Sequence, residues 1–548
     1  MAVNHPLNKH LRVVARSLQF VVAAFAANAC GWVPVQAAVP GITGGVSAPV
    51  FSLVASAGYS SQPDGALVYS WGYGCGSAGA APGAIAPASP AGFAPAAMSG
   101  VSTCPAMQLP GPTLVVTQGD MVTVRLANAL PAAAGNTSIV FPGFQVCVGA
   151  ISGGVCRPST TDGVAGILTR EAARGKTVHY SFVATKPGTY GYHSGTQAEL
   201  QVEMGLYGAI IVVPKVAPAQ CNKSGLGRQV DYRLATAAYA HPQTCYDREY
   251  LFQLAEMDSN IHLAALNQVQ ACDAALVGGA TRCPPIAVVT EPYHPNYFLI
   301  NGRSMPDDMD SAFSPAYPSQ PYNGNPHLHP GESILIREIG QGRMQHPLHI
   351  HGNHARVLAR DANLLLSAAD EKSLAGPLIF TFPTVPGQTV DALFTWNGKG
   401  LNWDVYGHNF VPGSGGPDPH PCYPDASGFY TDASTPPAVP GVTENYGEWC
   451  ADHNKPIPVT PPDPQVMTNG FWYGGTPYLG LQSANSGGVQ PITRPLPPTT
   501  STQNTTAGYA FMWHSHDERE ITTNDVFPGG MMMMMIVDPP SAAIDEKQ

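Results

Sequence analysis

The sequence predicts an all-β protein built as two similar halves, and three observations carry that expectation. Glycine and proline are abundant, at 58 and 54 of 548 residues, while only 11% of residues are charged. Such a chain favours short strands joined by turns and long loops over charge-paired helices. Runs rich in β-branched residues and bounded by turn signals recur, as in Thr113–Asn128, where Gly119-Asp120 marks a turn between two such runs. One order of motifs also appears twice: a β-rich run after a Pro-Gly or Gly-Pro turn, then a histidine or aromatic block, then a closing apolar run.

Taken in chain order, the N-terminus reads as a targeting segment over residues 1–37. Lys9, Arg12 and Arg16 precede an apolar run from Leu18 to Ala29, and Val35-Gln-Ala37 offers small residues for cleavage. The run is short for a bilayer span and no later stretch is longer, so a transmembrane segment is not expected. Ala27-Asn-Ala-Cys30 weakly resembles a lipoprotein cleavage site but lacks the usual large aliphatic residue. The expected location is therefore periplasmic or extracellular, with anchoring through Cys30 the lesser alternative. Beyond Cys30 ten cysteines remain, an even number suited to an oxidising compartment. Cys147/Cys156, Cys272/Cys283 and Cys422/Cys450 are close enough in sequence for local bridges. Cys75/Cys104 and Cys221/Cys245 would complete the set, although sequence order cannot prove connectivity.

A first domain is expected over residues 50–215. It closes with Gly188-Thr-Tyr-Gly-Tyr-His-Ser-Gly195 and the apolar run Met204–Val212. A second is expected over residues 231–540, with Pro330-Gly-Glu-Ser-Ile-Leu-Ile-Arg337, His346-Pro-Leu-His-Ile-His-Gly352 and a histidine-rich terminus. Residues 399–508 form a long Pro/Gly/aromatic stretch, read as an ordered insertion tied down by Cys422 and Cys450. The formal net charge of −11 and the lack of any Lys/Arg-rich block argue against a nucleic-acid partner.

The most informative stretch is Trp513-His-Ser-His-Asp-Glu-Arg-Glu520 followed by Pro528-Gly-Gly-Met531. Together with Pro110-Gly-Pro-Thr113 and the His346–Gly352 block, it resembles the multicopper oxidase superfamily. The terminal stretch is similar to a bacterial subgroup grouped with manganese-oxidising multicopper proteins. The resemblance implies tandem cupredoxin-like Greek-key β-sandwiches, with the insertion in the second, and one-electron oxidation of organic substrates or metal ions coupled to O₂ reduction. It also implies copper. His346 matches the blue-copper histidine, and His349 and His351 match ligands of the copper cluster. His514 and His516 match further cluster ligands, and His193 is the survivor of another pair. Ser515 and Glu520 stand where the blue site has cysteine and histidine, and Met531 matches its thioether. Val140-Phe-Pro-Gly143 falls where the family has a His-x-His-Gly motif.

Strand geometry says why the remaining histidines suit a metal. Residues i and i+2 share a strand face, so His349 with His351, and His514 with His516, each present two imidazoles to one side. Four nitrogens suit copper or zinc. Ser515 points the other way, and a hydroxyl does not replace a thiolate, which leaves laccase-type turnover and enzymatic activity itself undecided. The bland alternative is a set of hydrogen-bonded core histidines left over from an ancestral site. A rival chemistry comes from His514-Ser-His516 and Glu520, which resemble a cupin motif suited to mononuclear Mn or Fe with Glu520 as ligand. A third reading is a non-enzymatic copper-holding protein. His327 and His329 share i, i+2 spacing but sit between prolines and read as surface residues, His354 and His408 stand alone, and Met531–Met535 read mainly as strand packing. The substrate is a small molecule or metal ion of unknown identity. Whether the two halves meet within one chain or in a homo-oligomer is open.

Overall fold

A computed structural model describes residues 39–45, 48–76, 104–221, 237–398 and 508–538, the backbone of 92–94 and 475–478, and single residues 426, 428 and 544. The targeting segment, Cys30, the Cys422/Cys450 pair, His408 and most of the stretch 399–508 lie outside the described residues.

Two pairs of sheets build the protein. Residues 41–213 supply a five-stranded sheet with spatial order Gly188–His193, Tyr207–Val213, Leu114–Thr117, Gly41–Thr43, Gly92–Ala94. Its partner is a six-stranded sheet with order Leu67–Cys75, Val50–Ser61, Met121–Asn128, Thr177–Val183, Cys147–Ser152, Val155–Pro158. Residues 248–537 repeat the plan with a seven-stranded and a six-stranded sheet. The fold is all-β, a tandem of cupredoxin-like sandwiches.

Period-2 patterning explains the layers. In Met121–Asn128 the residues Val122, Val124 and Leu126 are fully buried while Met121, Thr123 and Arg125 face outward. Their counterparts on the facing sheet, Leu114, Val116, Ile210 and Val212, share one core with them. The Gly119-Asp120 turn sits where expected: Gly119 has a φ of +93°, and Asp120 Oδ2 accepts from Thr117 N at 2.9 Å. The turn does not make a hairpin, however. Leu114–Thr117 and Met121–Asn128 belong to opposite sheets, so the turn carries the chain from one layer to the other.

Helix Ser259–Val277 was not visible in the strand patterning. Asp258 caps it by accepting from Asn260 N at 3.0 Å, and Gly278 ends it. Ile261, Ala265, Val269 and Cys272 bury one stripe against the core of the first sandwich. Bridges join Cys75–Cys104, Cys147–Cys156, Cys221–Cys245 and Cys272–Cys283. No helix among the described residues is long and apolar enough to cross a membrane.

The second sandwich positions the histidine motifs. In the six-stranded sheet, His346–Ile350 lies between Gly508–Ser515 and Thr381–Thr384, and Met532–Val537 lies beyond Gly508–Ser515. Met531, Met533 and Met535 are fully buried in the sandwich core with Phe252, Trp396 and Trp513. His327 and His329, expected at the surface, are buried instead. Carboxylates hold both rings: Asp538 Oδ2 lies 2.6 Å from His327 Nδ1, and Glu332 Oε1 lies 3.2 Å from His329 Nδ1. The flanking prolines mislead here because the segment pairs with the strand Met532–Val537 and is carried into the interior.

Candidate metal centre

Register places the histidines. His349 pairs with Thr381 on one side and with His514 on the other, and His514 pairs with Met532. Cross-strand partners share a face, so Thr381, His349, His514 and Met532 form one row across four strands. His351 and His516 extend the row. Ring centroids lie 5.0 Å apart for His349 and His351, 5.5 Å for His349 and His514, 4.9 Å for His349 and His516, and 5.2 Å for His351 and His514. Two His-x-His segments thus bring four imidazoles together. The run of five methionines conceals in sequence that Met532 is the one that stands across from His514.

The rings are held from behind. His349 Nδ1 lies 2.7 Å from Thr381 Oγ1, and His514 Nδ1 lies 2.7 Å from Ser515 O. Trp513 Nε1 donates to His351 O at 3.0 Å, which fixes the backbone beside the cluster. Burial, then the neighbouring His351, His514 and His516, holds the His349 imidazole down at about 4. Burial also lowers His514. Both rings are thus neutral at pH 7, with ring-nitrogen lone pairs suited to a metal. His516 is the open member, with its side chain half exposed and Nδ1 3.3 Å from the exposed Glu518.

Two nitrogens bound to one tetrahedral ion at about 2.0–2.1 Å lie roughly 3.3 Å apart. The His351 and His514 Nε2 atoms are 3.3 Å apart. As placed, no group of three or more His, Cys, Asp or Glu among the described residues closes around one ion. The pair fits a metal as it stands, whereas His349 and His516 would have to turn their rings toward it.

His193 stands apart from this group. It ends the strand Gly188–His193 of the first sandwich, bridges to Val140, and its Nδ1 lies 3.0 Å from Ser194 O. Burial lowers its ring as well. Its interactions are with its own sandwich, so a shared site with His349 and His514 is not assembled in the described structure.

The other face of the same strands holds a different chemistry. His346 and Ser515 point into the sandwich, opposite to His349 and His514, and both are fully buried. His346 Nδ1 lies 3.0 Å from Glu520 Oε1, and its Nε2 lies 2.8 Å from Glu256 Oε2. Ser515 Oγ donates to Glu520 Oε2. Burial alone would push the His346 ring down. The hydrogen bonds and charges of Glu256 and Glu520 outweigh it and hold the ring protonated up to about 9. The network continues: Tyr293 Oη bridges Glu256 Oε1 at 3.1 Å and Glu203 Oε2 at 2.6 Å. Burial raises Glu203 to about 8, against the lowering hydrogen bond from Tyr293.

This arrangement places three of the residues singled out in the sequence. Both ring nitrogens of His346 lie against carboxylates, those of Glu520 and Glu256. Glu520 does not join His514 and His516, as the Mn/Fe motif requires. Its carboxylate lies between Ser515 and His346, on the opposite side of the strand. Met531 packs in the apolar core among Met533, Trp513 and Phe511, while its backbone ties Ser515 and Glu520. Residues 256 and 203 were missed because they lie far from any histidine motif in sequence.

Comparison with known proteins bears on the first sandwich. Residues 100–217 match the multicopper oxidase family model. A multicopper oxidase from Talaromyces pinophilus is 34% identical over 108 residues, 20% of this chain and 16% of that protein. Copper resistance protein A from Pseudomonas syringae pv. tomato is 35% identical over 107 residues, 20% of this chain and 15% of that protein. The chain thus aligns with only about a sixth of the length of these relatives. Among solved structures, multicopper oxidase mgLAC is similar with a TM-score of 0.42 and 15% identity, over 91% of this chain and 88% of that one. Residues 100–217 therefore match a multicopper oxidase domain, and over that stretch the chain is similar to the multicopper oxidases.

Proposed function

We propose that this is an exported copper-binding protein in which His349, His351, His514 and His516 hold the metal and no blue-copper centre exists. The observation that carries the reading is the 3.3 Å approach of His351 Nε2 to His514 Nε2 within a group of four rings. Copper there would supply one-electron redox chemistry, the basis on which the family couples oxidation of organic molecules or metal ions to O₂ reduction. The chain's own contribution is orientation. Ser515 O fixes the Nδ1 side of His514 and leaves its Nε2 directed at His351 Nε2, while Thr381 Oγ1 holds the Nδ1 side of His349. The even cysteine count and the apolar leader support export, and His193 remains a candidate further ligand.

A second reading, copper holding without turnover, is favoured by one observation. Glu520 spans His346 and Ser515 where the family's electron-entry ligands stand, so electrons have no thiolate route to the cluster.

Metal analysis of protein loaded with copper and freed of excess tests the proposal. We expect one or two copper ions per chain, lost when His349 and His514 are replaced together by alanine. Retention of the same copper by that double variant, or none in the parent, would sink it. Oxygen uptake with phenolic or metal-ion donors then separates turnover from holding.

A further inference from the structure

Beside the imidazole group lies a pocket of about 450 Å³ with a distinct composition. Its floor is one row across three strands. Arg356 pairs with Leu393 on one side and with Leu378 on the other, so the three side chains share a face. Leu374, His354, Gln243, Asn353, Ser373 and Thr395 complete the wall, and no carboxylate lines it. Leu378 is 56% exposed, a large apolar residue left at the rim.

Arg356 is the unusual element. It is partly buried, and the one side-chain hydrogen bond it makes among the described residues runs from Nη1 to Gly376 O at 2.9 Å. No ion pair among the described residues includes it. A guanidinium lining a pocket of leucines and uncharged polar side chains, with one of its donors bonded to Gly376 O, matches a planar carboxylate in shape and charge. Asp370 does not fill that role, since Ser373 Oγ and the Lys372 and Ser373 amides hold it within its own turn.

The pocket is also coupled in space to the histidines. The chain leaves Leu378–Ile379 in one sheet and enters Thr381–Thr384 in the other, and Phe380 lies at the crossing. Its ring centroid is 4.9 Å from that of His354 and 5.5 Å from that of His349. A molecule in the pocket therefore sits two ring contacts from His349.

We propose that this pocket binds a small aromatic carboxylate, with the carboxylate on Arg356 and the ring over Leu374, Leu378 and Leu393. The volume suits a single-ring compound with room for substituents. Binding needs no metal. The proposal names the substrate class for the centre proposed above, yet its test does not depend on copper.

Calorimetry on the copper-free full chain with 4-hydroxybenzoate is the test. We expect saturable binding, weakened about tenfold or more in Arg356→Gln through loss of the charge-assisted hydrogen bonds. The neutral 4-hydroxybenzamide should bind weaker by a similar factor, and inorganic phosphate should not displace the benzoate. Leu378→Asp, at an exposed position that does not threaten folding, should weaken it as well. His349→Ala with His514→Ala should leave the affinity unchanged, which keeps failure of the copper reading distinct from failure of this one. No binding at millimolar ligand, equal affinity in Arg356→Gln, or full displacement by phosphate would overturn the proposal.

Discussion

His346 and Glu520 meet at 3.0 Å inside the second sandwich, and Glu256 closes on the other side of the same ring at 2.8 Å. A buried imidazolium between two carboxylates replaces what would otherwise be isolated buried charges. Removing one member of such a set leaves the others uncompensated, at a cost of about 3–5 kcal/mol. His346→Ala should therefore lower the unfolding free energy by about that amount, read from denaturant titration. A loss under about 1 kcal/mol would mean that the ring and carboxylates are not mutually dependent.

The same relationship sets a pH dependence. The folded value for His346, about 9, lies above its ordinary 6.5, so its contribution is complete below about pH 6.5 and disappears as pH rises through 9. Glu203 is raised from 4.5 to about 8 by burial, so its neutral form favours folding at low pH and that advantage disappears as pH rises through 8. Both signs agree. The melting temperature should fall between about pH 6.5 and 9, and Glu203→Gln should reduce the fall. A melting temperature flat across that window in the parent would contradict the protonated His346.

The interior pocket can be asked whether it still has the shape of a blue-copper site. Ser515 Oγ, Glu520 and His346 Nδ1 converge, with the carboxylate at the meeting point. Ser515→Cys with Glu520→His would supply a thiolate and two imidazoles, a set that suits Cu(II) electron transfer. The parent should show no intense blue band with copper, and the folded double variant should gain one. Ser515→Cys alone, with Glu520 still in place, should not. A colourless double variant that folds and binds copper at the outer histidines would show that the three positions do not converge as a ligand set.

The two sandwiches are joined by a buried polar cluster. Thr189 Oγ1 donates to Asp391 Oδ1 at 2.5 Å, and Arg337 Nη1 reaches Thr189 Oγ1 at 3.0 Å while its Nε donates to Glu249 Oε2 at 2.8 Å. Tyr239 Oη also donates to Asp391. Asp391→Ala strips a charge partner from Arg337 and a shared acceptor from two hydroxyls. We expect about 3–5 kcal/mol of destabilisation, with a single cooperative transition giving way to two. Scanning calorimetry checks both. An unchanged single transition would place the coupling of the halves elsewhere.

The bridges offer a further check. Peptide mapping under non-reducing conditions should recover Cys75–Cys104, Cys147–Cys156, Cys221–Cys245 and Cys272–Cys283. Replacing Cys272 and Cys283 together by alanine should cost about 2–4 kcal/mol, because the bridge staples the end of the helix to the loop after it. Free thiols at these positions in oxidised protein would reject the pairing.

The sequence by itself determined the β character, through turn residues and period-2 burial, and it determined which imidazoles share a face, because i, i+2 spacing fixes that locally. It also announced that the thiolate is gone, which needs only the identity of residue 515. Tertiary structure decided the rest. That Glu520 binds Ser515 and His346 depends on the direction in which a turn returns to the strand. Glu256, Glu203 and Tyr293 reach His346 from a strand and loops remote in sequence, and periodicity carries no information about such distances. The helix Ser259–Val277 was hidden because its stripe of small and mixed residues leaves a weak pattern, and only packing against the first sandwich makes it stable. The Arg356 pocket likewise exists only because three strands line up Leu393, Arg356 and Leu378 in register.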